Sequence, residues 1–80
     1  MLIINDFKKP HNTIIYCAAC IILILKKLDR GMKVDLLFHS IKVEYSKDMD
    51  YTDFILALNF LFLIGKINSD KEEKICLLKN

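Results

Sequence analysis

Glycine and proline are scarce in this chain: Gly31, Gly65 and Pro10 are all it has. Two isolated glycines cannot form the glycine-rich loop that cradles a phosphate, which removes that route to nucleotide chemistry. Cysteine is also sparse and odd in number, at Cys17, Cys20 and Cys76. It does not make the evenly spaced framework of a secreted disulfide scaffold, so the cytosol is the expected compartment. Charge of one sign is missing as well, with 12 basic residues against 10 acidic ones and a net charge of +2. No strong field for nucleic acid or anionic lipid follows from that balance. Between Asp48 and Gly65 there is no lysine or arginine at all. No internal repeat, linker or low-complexity segment is present, and nowhere do a nucleophile, a base and an orienting group fall together.

A membrane-spanning run is absent too. The unbroken apolar stretch from Ile14 to Leu25 has 12 residues, whereas spanning takes roughly 18 to 20. His11 and Asn12 close it on one side, and Lys26, Lys27, Asp29 and Arg30 on the other. Ala18, Ala19 and Cys20 look like a lipoprotein cleavage box. However, the aliphatic weight, Ile21 to Leu25, follows the cysteine, where an export signal would place it before.

What the chain does have is apolar mass. Its 80 residues are 54% hydrophobic, which excludes intrinsic disorder and gives one domain near the lower size limit for a single core. From Phe54 to Ile64 every residue except Asn59 is apolar. A domain of this size buries only about 60% of its unfolded surface. A helix apolar on all sides therefore leaves surface for a partner.

The single domain is expected to be mainly α with a small β-hairpin. Residues 1–9 form an N-terminal arm with Leu2, Ile3, Ile4 and Phe7 as apolar points, and Pro10 ends it. A first helix over 12–28, capped by Asn12 or Thr13, is expected to stop at Gly31 in a left-handed conformation. On a 100° wheel Ile14, Cys17, Ala18, Ile21, Ile24, Leu25 and Leu28 share its core face. Met32 to Val34 reads as a connecting strand or as the first turn of a second helix. That helix runs over 35–43 and is capped by Asp35, with Leu36, Leu37, Phe38 and Ile41 on its apolar side. The third helix, over 50–64, is capped by Asp50 and stops at Gly65. Residues 65–78 alternate in two short segments about a polar tip, Ser69 to Glu73, and read as a hairpin wing. Three helices followed by a two-stranded ribbon is the order of a winged helix-turn-helix.

The third helix of such a fold commonly reads the major groove of DNA, where lysine and arginine neutralise phosphates. Here its leading end carries Asp48, Asp50 and Asp53, so charge opposes that use. The wing lysines Lys66, Lys71 and Lys74 are the possible nucleic-acid contacts, and a DNA-binding regulator that uses them is the alternative reading. Asp70, Glu72 and Glu73 are interleaved with them, as in an ordinary solvated turn.

If Phe54, Ala57, Leu58 and Leu61 face the core, Ile55, Leu56, Asn59, Phe62 and Leu63 face outward. On the first helix Ile15, Tyr16, Ile22 and Leu23 do the same. These nine residues are the expected partner interface, with Tyr16 and Asn59 fixing register. The competing arrangement buries both faces of the third helix beneath the arm and wing and hydrogen-bonds Asn59 in the interior. A homodimer through the apolar faces is a further alternative. Cys17 and Cys20, one turn apart, have only Cys76, His11 and His39 to complete a metal site and read as core residues. No metal, cofactor or catalytic residue is expected, His39 included.

The run Ala57 to Ile67, preceded by Tyr51 to Phe54 and by a first helix that opens after Pro10 with Tyr16 inside it, resembles the small middle components of bacterial ABC-three-component systems, specifically middle component 6. The likeness covers roughly Pro10 to Leu78. It implies a non-enzymatic subunit encoded beside an ABC-type or SMC-like ATPase and an effector-like third component, acting in defence against phage or other invading DNA. The resemblance brings no ligand residues with it.

Overall fold

A computed structural model describes residues 13–28 and 30–78. The expected arm and the Asn12 cap lie outside the described residues. Helix α1 spans Thr13–Leu28, strand β1 Met32–Lys33, helix α2 Val34–Glu44, helix α3 Tyr51–Leu63, strand β2 Ile67–Ser69 and strand β3 Lys74–Leu77.

Among the described residues the sheet has three antiparallel strands in the order β1-β3-β2, one more than the two-stranded ribbon expected from sequence. Met32 and Lys33 pair with Ile75 and Lys74, while Ile67, Asn68 and Ser69 pair with Leu77, Cys76 and Ile75. A two-residue strand is too short for alternation to reveal it, since its order comes from the residues opposite rather than from its own pattern.

That pairing also moves the start of α2. Lys33, held extended in β1, occupies the N-cap position and makes no side-chain cap bond, so the expected cap Asp35 lies inside the first turn instead. There its charge sits near the positive end of the helix. Helix α3 starts as expected, with the Asp50 carboxylate accepting from the Thr52 backbone N–H at 3.2 Å. At its other end Gly65 takes a left-handed φ of 75°. Gly65 N–H then donates to the Phe62 carbonyl at 3.1 Å and Lys66 N–H to the Leu61 carbonyl at 2.9 Å, a Schellman closure.

Gly31 has a different task from the one expected, since its φ is not left-handed. It lies against the outer side of β3, where an added Cβ would come within 2.7 Å of the Cys76 sulfur and 2.9 Å of the Lys74 Cβ. Gly31→Ala should therefore destabilise the fold by about 1–3 kcal/mol through overpacking. Thermal melts of Gly31→Ala and of Gly31→Ala/Cys76→Ala test this. The second substitution should return part of the loss by removing the sulfur, a non-additivity that a purely conformational effect would not produce.

The core lies where α1 meets α2, α3 and the inner face of the sheet. Cys17, Ala18, Cys20, Ile21, Ile24 and Leu25 enter from α1, Leu37 and Ile41 from α2, and Phe54, Ala57, Leu58 and Leu61 from α3. Met32, Ile67 and Ile75 close it from the strands, and Met49 from the loop before α3. Leu28, expected on the core face, is exposed. It lies on the same side of the wheel as Ile21 and Leu25 but is the last residue of the helix. Phe54 anchors an aromatic group at the α2–α3 corner, with its ring 5.0 Å from Phe38 and 5.9 Å from Tyr51. Phe38 and Tyr51 meet edge to face at 5.0 Å, and the Lys42 ammonium lies 5.4 Å over the Phe38 ring.

At the hairpin tip, one Asp70 carboxylate oxygen accepts from the Glu72 and Lys74 backbone N–H groups at 2.8 and 2.9 Å. The bond from Lys74 N–H is the main cause that holds the Asp70 carboxyl below its usual pKa; desolvation opposes it, and Glu72 N–H, the Lys74 charge and the Cys76 thiol add to the lowering. A lowered folded pKa means that the ionised carboxylate stabilises the fold above its unfolded value of about 3.9. That contribution is lost as pH falls through the lower folded value. The stability gap between wild type and Asp70→Asn should therefore be open at pH 7 and close below about pH 4, as urea titrations at a series of pH values would report.

Candidate partner interface

The largely apolar sequence of α3 resolves into two faces. Phe54, Ala57, Leu58 and Leu61 are buried, as spacing by threes and fours requires of a helix that packs on one side. Opposite them Leu56 is 45% and Leu63 86% exposed, with Phe60, Phe62 and Ile64 also open. Asn59 is exposed among them, so the arrangement that hydrogen-bonds it in the interior does not hold. Along the outer side Leu56, Phe60 and Leu63 follow one another at intervals of four and three, a single apolar row. The amino-terminal end of α3 is acidic, with Asp48 and Asp50 exposed and Asp53 half-buried, and the helix itself carries no basic residue.

Helix α1 repeats this division. Ile15 is 50% and Leu23 51% exposed, with Tyr16 also open. Ile15, the exposed Ala19 and Leu23 form one row at intervals of four. The row ends on Lys26 and Lys27 in the last turn, both exposed. Lys27 lies 3.5 Å from Glu44. Because α1 packs extensively on α3 and each does so with its buried side, their outer faces look away from the shared contact.

Two of the nine expected interface residues are turned inward. Ile22 and Ile55 are half-buried and packed against the core, since each borders the buried arc of its helix rather than lying opposite it. Ile15, Tyr16, Leu23, Leu56, Asn59, Phe62 and Leu63 stand in the open. Phe60 on the same face of α3, and Ile64 at its C-cap, are also exposed and extend the expected set. Phe60 was findable, four positions after Leu56 and three before Leu63. Leu36, Val43, Tyr45 and Tyr51 are exposed elsewhere, without a row that sequence spacing could have picked out.

The thiols of α1 belong to the packing. Burial pushes the Cys17 thiol up to about 12, with Cys20 and Asp53 adding to the effect, and burial likewise raises Cys20. Desolvation first and Cys20 second raise the Tyr16 phenol. All three groups are therefore neutral at pH 7, and neither cysteine is a reactive thiolate. Among the described residues no group of three or more His, Cys, Asp or Glu side chains could hold a metal ion. His39 is exposed on α2, and His11 lies outside the described residues. Lys66 and Lys71 are exposed, whereas Lys74 is half-buried and lies 3.2 Å from Glu72.

Fold and surface together define a small, mainly helical domain with a three-stranded sheet and two open apolar helix faces. No helix among its described residues is long and apolar enough to cross a membrane. The family described as ABC-three component (ABC-3C) system Middle Component 6 matches residues 4–78, so the chain belongs to that family and is one component of a multi-component system. No curated protein and no solved structure matches it.

Proposed function

We propose that the chain is a non-catalytic adaptor, the middle component that joins an ABC- or SMC-like ATPase to an effector in a bacterial defence system acting in the cytosol. The observation that carries this reading is the open apolar row on α3, Leu56, Phe60 and Leu63, on a chain whose family places it among several components. A second open face on α1, directed elsewhere, supplies the other contact that a joining subunit needs. Contact through such faces gains about 25 cal/mol for each Å² of apolar surface removed from water, from which the cost of association is deducted. We read the helix-strand-helix-helix-hairpin order as a winged helix used for protein contact. The acidic start of α3 disfavours its use on DNA, because carboxylates repel phosphates that lysine and arginine would neutralise.

Co-expression with the ATPase and effector components of the system tests the proposal. The chain should co-elute with at least one of them in a stoichiometric complex. Elution alone under those conditions would overturn the reading.

A further inference from the structure

We infer that free copies of this chain associate head to tail, with the outer face of α1 in one copy lying antiparallel along the outer face of α3 in the next. The two faces match in length, chemistry and charge. On α3 the acidic end precedes the row Leu56, Phe60, Leu63. On α1 the row Ile15, Ala19, Leu23 precedes the basic end, Lys26 and Lys27. At 1.5 Å rise per residue the apolar rows are about 12 Å long on α1 and about 10 Å on α3. An antiparallel alignment sets Leu23 near Leu56 and Ile15 near Leu63. Lys26 then stands at the acidic amino-terminal end of α3. That alignment also opposes the helix dipoles, with the negative end of α1 at the positive end of α3.

Pairing α3 with α3 of another copy gains none of this. A parallel pair brings the carboxylates of both copies together, and an antiparallel pair lays the acidic end of each helix on the apolar end of the other. The face of α1 is thus the complement of the face of α3, and the occupant is a second copy of this chain. One helix laid on one helix buries less than the ~1,200 Å² below which interfaces are weak and transient. The association is therefore reversible. Its consequence rests on the adaptor reading: the faces offered to the system's other components are covered by neighbouring copies until a partner displaces them.

Sedimentation equilibrium on the purified chain from about 10 µM to 1 mM, a range that spans weak binding constants, tests the association itself. The average mass of the wild type should rise with concentration and fall as salt is raised. Leu23→Asp, which disables only the α1 face, and Leu63→Asp, which disables only the α3 face, should each be monomeric alone. Mixed together they should form a 1:1 complex and stop there, since one intact face of each kind survives. Ile15→Asp and Leu56→Asp provide a second pair, and far-UV circular dichroism confirms that each variant is folded. Lys26→Glu should weaken association about two- to fivefold, the range of an exposed ion pair. A wild type that stays monomeric, a single variant that still associates, or a mixture that stays monomeric overturns the inference. An unchanged affinity in Lys26→Glu overturns the antiparallel alignment. These readouts use the chain alone, so they are independent of whether it co-elutes with an ATPase or effector.

Discussion

Phe54→Ala should lower the stability of the isolated chain by about 3–5 kcal/mol, the usual loss for a fully buried phenylalanine cut back to alanine. Phe54 is completely buried and stands where α2 and α3 meet, with its ring against Phe38 and Tyr51. Truncation removes the transfer energy of the ring, leaves a cavity beneath two helices and ends both aromatic contacts, each worth about 0.5–1.5 kcal/mol beyond burial. A domain of this size has only roughly 4–12 kcal/mol of stability in total, so the variant loses a large part of it. Urea unfolding followed by circular dichroism gives the value. A loss below about 1 kcal/mol, ordinary for a surface position, would show that the α2–α3 corner does not hold the fold as described.

The second large effect falls on association and leaves the fold alone. Leu56→Asp combined with Leu63→Asp should weaken co-elution with the ATPase or effector component at least about a hundredfold, equivalent to about 2.7 kcal/mol. Both side chains stand in the open, so the carboxylates remain hydrated in the free chain and its melting temperature should change little. In a complex each carboxylate would be buried without a partner, which is costly. Ile55 is not a suitable position for the same experiment. It packs on the core, and an aspartate there would unfold the chain and leave lost binding uninterpretable. Co-elution that survives the Leu56/Leu63 double substitution would remove α3 as the contact.

Helices were legible from the sequence wherever their period was long and their ends carried chemistry. Asp50 capped α3 and Gly65 ended it as the residues suggested, and turn spacing put Phe54, Ala57, Leu58 and Leu61 on one face, the face that the structure buries. Strand β1 was legible only as one of two options, because two residues contain no period. The hairpin could be read from alternation about a polar tip, but its partner on the far side of β3 could not. Gly31 misled for a related reason. Scarcity marks a glycine as special, yet a left-handed turn and a close approach by another strand leave the same letter in the sequence.

Composition and spacing by themselves determined that this chain is unusually rich in apolar residues for its length, that the third helix groups Phe54, Ala57, Leu58 and Leu61 on one side, and that basic charge is absent from that helix. Those properties depend on residues a few positions apart. Tertiary structure alone decided which borderline residues turn inward, Ile22 and Ile55 among them, that Asn59 stands in solvent, and that β1 completes the sheet. Each of these is settled by a neighbour distant in sequence, and no local period records which neighbour that will be.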